Sequence, residues 1–139
     1  GLGKVAWLAG EVNGDTATLV KPSPVQALAA IGAAHSGVER DALLAAFALT
    51  ERDEVQAPLA DLASTTVHVF EDTVGGIAAV VRAVHLLRTA GLDVIWRAYG
   101  VTPPSGAKAR AMRDHGYPTY PTINEAIIAA LSEVALANG

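Results

Sequence analysis

Apolar positions along the chain change rhythm in a way that divides it into alternating strands and helices. Lys4 to Val12 and Thr16 to Val20 flank Asn13-Gly14-Asp15. Asn-Gly tolerates positive φ, so the pattern predicts an N-terminal β-hairpin. Lys21-Pro22-Ser23-Pro24 then opens a helix: Ser23 is a candidate N-cap, Pro24 suits the first helical position and Gln26 completes a capping box. That helix should end at Ser36-Gly37. A second is expected over Glu39 to Leu49, with the charged run from Thr50 to Glu54 at its solvated end and a short helical turn between Ala57 and Ala63.

A β-branched, aromatic strand is predicted at Thr65 to Phe70. After it Gly75-Gly76 break the pattern, and Ile77, Val80, Val81, Val84 and Leu87 recur at helical spacing up to Ala90-Gly91. Leu92 to Val101 reads as a second strong strand, Thr102 to Gly106 as a loop, and Ala107 to His115 as a short helix stopped by Gly116. An extended segment at Tyr117 to Pro121 and a last helix over Ile123 to Asn138, apolar on Ile123, Ile127, Ala130, Leu131 and Val134, complete the pattern. Alternating elements of these lengths predict an α/β fold, a mostly parallel sheet with helices on both faces, in one domain spanning residues 1–139.

Composition narrows the class. With 139 residues, 51% of them hydrophobic, the chain can bury one real core but not two. Net charge is −4, and no basic stripe is interleaved with aromatics, which argues against a nucleic-acid partner. The apolar runs fall well short of the roughly 20 residues of a membrane helix, and no secretory signal pattern opens the chain, so a cytoplasmic protein without membrane partners is expected. Absence of cysteine excludes a disulfide framework and a thiol nucleophile. Residue 1 is glycine and the one methionine is Met112, so the expectation is a fragment or C-terminal domain of a longer protein.

The richest chemistry lies at Phe70-Glu71-Asp72-Thr73-Val74-Gly75-Gly76-Ile77, where a strand delivers two adjacent carboxylates to a helix start. Neighbouring carboxylates raise each other's pKa unless a cation holds them, and Mg²⁺ accepts one or two carboxylates with water and phosphate oxygens. The plainer alternative is that Asp72 or Thr73 caps the following helix and Glu71 is solvated. Ser105-Gly106 with Lys108 nearby is a candidate anion site, against the plainer reading of a helix start. His35, His68, His85 and His115 show no ligand spacing, and His68 is expected on a polar or half-buried side of its strand. Trp7 and Trp96 read as core or interface residues, and Arg82 and Arg88 as solvated.

Lys21-Pro22-Ser23-Pro24 before a helix, together with Phe70-Glu71-Asp72-Thr73 and Gly76-Ile77, resembles the C-terminal half of the haloacid dehalogenase-like (HAD) superfamily of Mg²⁺-dependent phosphohydrolases. The resemblance covers about Val20 to Leu131. It implies a three-layer Rossmann-like sheet, with Lys21 steadying the phosphate of a phosphorylated small molecule, Asp72 as principal Mg²⁺ carboxylate and Glu71 as a second or water-mediated one. The family's strand ending in Asp-x-Asp, source of its nucleophile, has no counterpart in this sequence. Two readings follow. One is a portion of a HAD-like hydrolase, inactive alone; the other is a degenerate, non-catalytic binding or oligomerisation module. Both leave an open edge beside the Thr66 to Phe70 strand, to be covered by the hairpin, a second copy of the chain in a homodimer, or the rest of a parent chain.

Overall fold

The computed structural model describes the backbone of residues 4–9 and 24–138 and the side chains of residues 24–137. Its elements are β1 (Lys4–Ala9), α1 (Pro24–Ser36), α2 (Glu39–Arg52), a 3₁₀ turn (Leu59–Asp61), β2 (Thr65–Glu71), α3 (Val74–Thr89), β3 (Val94–Val101), α4 (Ala107–Asp114), β4 (Thr119–Tyr120) and α5 (Ile123–Asn138). The four strands form one parallel sheet in the order β1-β2-β3-β4.

Period-two alternation sorts the strands onto two cores. Val67, Val69, Val94 and Ala98 face α1 and α3, where Leu28, Ile31, Ile77, Val84 and Leu87 are buried, and Met112 of α4 joins them. On the opposite face Phe70 and Tyr99 pack against Ala126 and Ala130 of α5. The contact stripe of α5 is therefore Ala126, Ala130 and Val134 with Ile127 partly buried, while Ile123 and Leu131 are exposed, a rotation of the stripe expected from sequence. Small residues let the helix approach closely and leave the larger neighbours outside.

His68 also departs from expectation: it is only 2% exposed. The Tyr99 hydroxyl donates to Glu133 Oε2 at 2.6 Å, so the 3.1 Å contact with His68 Nδ1 is the imidazole N–H donating to the phenol oxygen. Burial lowers the His68 pKa, against the pull of Glu133, and it raises that of Tyr99, reinforced by the bond to Glu133. A neutral imidazole is accommodated with its Nδ1–H paired to the phenol oxygen.

The edge beside β2 is occupied. β1 runs parallel to β2 from Lys4↔Thr65 to Ala9↔Phe70, so the first strand of the expected hairpin covers it. The second strand of that hairpin, at Thr16 to Val20, lies outside the described residues, as do Lys21 and Ser23. On the other side β4 reaches only Gly100 and Val101. Pro118, next before it, has no N–H with which to continue the ladder along β3.

Candidate functional site

Parallel strands place their carboxyl ends at one rim of the sheet, and that rim is where open α/β folds bind ligands. Here β2 ends with Glu71 in register with Gly100 of β3. Thr73 adopts extended φ, ψ (−128°, 150°) and its Oγ1 accepts from Gly76 N–H at 3.1 Å, so Thr73 is the N-cap of α3. Asp72, released from a capping role, faces elsewhere.

It faces Lys108. The Nζ of Lys108, in the first turn of α4, lies 2.8 Å from Asp72 Oδ2; the aspartate side chain is 9% exposed and the lysine 54%. With so wet a lysine the pair contributes little to stability. Its consequence is orientation: it fixes a buried carboxylate and aims an accessible ammonium over the rim. The β3 to α4 loop thus meets the end of β2, bringing together the acidic pair and the candidate anion site.

Glu71 turns back under the first turn of α3. A Cβ built on Gly76 would lie 2.6 and 2.8 Å from the Glu71 carboxylate oxygens, so only glycine leaves room for that carboxyl group. Burial first, and then the Asp72 charge, push the Glu71 pKa up from 4.5 to about 7, partly offset by a hydrogen bond from the Asp72 backbone. The folded state therefore holds a proton that the unfolded chain releases above pH 4.5. This contribution to stability is fully present below 4.5 and is lost as pH rises through about 7. His68 acts with the opposite sign, since its lowered pKa favours unfolding as pH falls below 6.5. Glu71→Gln should remove the first slope and leave the second. Urea midpoints between pH 4.5 and 8 should diverge from wild type, with the variant gaining most at the alkaline end; parallel curves would refute the assignment.

Among the described residues no group of three or more His, Asp or Glu gathers where a metal ion could sit. Asp72 fits the part of a single carboxylate ligand, which suffices for Mg²⁺ when water and phosphate oxygens complete the shell. Glu71, tucked against Gly76, does not present itself as a second direct ligand in this arrangement. The pairing of Lys108 with Asp72 is the feature sequence reading missed. Its signal was a basic residue in the first turn of a helix following a strand end, but 36 residues separate the partners and only the sheet brings them together.

No family model matches the chain, and no curated protein or solved structure is similar enough to count as a match. The fold and the rim define an α/β protein with a small parallel sheet and an acid-base pair at its carboxyl end.

Proposed function

We propose that the chain is a HAD-like domain that binds a phosphorylated small molecule at the carboxyl ends of β2 and β3 without forming a phospho-aspartate. The observation that carries this reading is the Lys108 to Asp72 pair, an exposed ammonium held at the rim by a buried carboxylate. Beside it the helix start of α3 is open, since a Cβ at Gly75 would meet nothing within 4 Å. Backbone N–H groups of that first turn, its positive dipole end and the Lys108 ammonium together suit a phosphate. Mg²⁺ bound to Asp72 would add positive charge against the phosphate oxygens. Lys108 would orient the phosphate, a part the family resemblance gives to Lys21.

Between the two HAD-like readings, the position of β1 supports the binding module. A nucleophile strand supplied by another part of a longer protein would belong next to β2, and β1 already holds that edge in parallel register. The hydrolase reading stays in the test. With inorganic phosphate and Mg²⁺ at millimolar concentration, the amides of Glu71 to Gly76 and of Lys108 should shift in NMR spectra, and Lys108→Gln should weaken binding by about tenfold. Unmoved amides would sink the site. Phosphate release from an aryl phosphate should not occur; Mg²⁺-dependent release abolished by Asp72→Asn would restore the hydrolase reading.

A further inference from the structure

At the opposite end of the sheet a cleft of about 610 Å³ opens between the last turns of α3, the amino-terminal half of β3 and the Gly116 to Pro118 segment. It exists because β4 is short. Gly100 N–H donates to Pro118 O and Thr102 N–H to Tyr120 O, so even-numbered residues of β3 direct their backbone groups toward the β4 side. Before Gly100 no strand pairs with that side among the described residues, and Trp96 and Ala98 present their backbone to the cleft.

Two guanidinium groups stand along this edge. Arg88 donates to Val94 O at 3.2 Å and Arg97 to Trp96 O at 3.4 Å. Their anchoring carbonyls are two residues apart, about 7 Å along a strand. Neither arginine is within ion-pair distance of a carboxylate among the described residues, and no acidic side chain lines the cleft. His85 lines the same wall. In a chain of net charge −4, this is a local concentration of positive charge. Trp96 and Tyr117, packed edge to face at 6.2 Å with their planes at 73°, form an apolar corner beside it.

The arginines already cap the outward carbonyls of Val94 and Trp96. An added peptide strand would need those acceptors for its own N–H groups, which disfavours strand addition. The remaining polar groups of the edge are dominated by donors. A second copy of the chain pairing edge to edge would set like charges against each other. We propose that this cleft binds a small flat aromatic anion, a ring carrying one carboxylate or phosphate. The ring would lie against Trp96 and Tyr117, and the anionic head would bridge Arg88 and Arg97. This site is separate from the Asp72 rim and stands without the HAD-like reading.

Four probes test it by NMR on the whole chain: 2-naphthoate, adenosine monophosphate, acetate and the neutral 2-naphthalenemethanol. Naphthoate should shift the Trp96 indole and the Ala98 and Gly116 amides saturably, with acetate and the neutral alcohol at least about tenfold weaker. Adenosine monophosphate moving the same signals would extend the site to nucleotides; adenosine monophosphate moving only Glu71 to Gly76 would restrict the cleft to carboxylates. The double variant Arg88→Gln, Arg97→Gln should weaken naphthoate binding by about tenfold or more, while Arg88→Lys, which keeps the charge, should retain part of it. Spectral dispersion reports whether each variant is folded. Overturning results are no saturable shift at millimolar naphthoate, equal binding of the neutral alcohol, affinity unchanged in a folded double variant, or a preference for an acidic extended peptide.

Discussion

Tyr99→Ala is expected to cost about 3–5 kcal/mol, the range for removing a large aromatic from a core. Domains of this size have roughly 5–15 kcal/mol in total, so the variant should approach the unfolding threshold at ambient temperature. The ring is 1% exposed, stacks on Phe70 at 5.1 Å and on His68 at 5.8 Å, and meets Tyr120 at 6.3 Å. It is the centre of the core on the α5 face. Tyr99→Phe separates ring from hydroxyl: packing is kept, but the His68 Nδ1–H loses its acceptor and the tie to Glu133 on α5 is cut. A loss of about 1–3 kcal/mol is expected from leaving that buried donor unpaired. Urea denaturation should show lower midpoints in the order wild type, Phe, Ala, with nearly constant slope. A Phe variant as stable as wild type would mean that the hydroxyl network holds nothing in place.

Gly32→Leu should be nearly as damaging, at about 3 kcal/mol. Gly32 lies in the interior of α1, where glycine costs up to about 1 kcal/mol against alanine, so its presence needs a reason. The reason is the α1 to α2 contact: a Cβ there would lie 3.0 Å from Ala42 Cβ and 3.3 Å from Pro58 Cγ. Ala42, Ala45 and Ala46 line the facing side of α2, all essentially buried, and none has a far end that can swing away. A leucine must push the helices apart. Gly32→Ala is the graded control, its gain in helix propensity set against the tight contact, and it should fall well short of the leucine loss. Thermal midpoints of the two variants check this; a leucine variant at wild-type stability would show that the helix pair is loosely packed.

Most elements were legible because their signals are local. The shift from period two at Val67 and Val69 to helical spacing from Ile77 located β2 and α3, and prolines and glycines marked several boundaries within a residue or two. The charged run from Thr50, read as the solvated end of α2, continues the helix through Arg52, and Asp53, in left-handed conformation, closes it. The stripe of α5 was misplaced toward its larger residues, because periodicity alone does not say which of two adjacent apolar rows meets the sheet. At the rim the sequence named Glu71 and Asp72 for a metal ion and Lys108, separately, for an anion. Lys21 remains a matter of sequence, outside the described residues.

The set of strands and helices and the delivery of two carboxylates to a helix start follow from residue types within a few positions of one another, and were readable without the fold. The role of each carboxylate was set by long-range packing. Parallel pairing of β2 with β3 sets the first turn of α4 over the end of β2, so Lys108 claims Asp72, while close packing under Gly76 shelters Glu71 and raises its pKa. The same holds for the partner of β2 across the other edge. Strand pairing joins residues tens of positions apart through backbone hydrogen bonds that carry little side-chain signature, and β1 could claim that edge without announcing it in sequence.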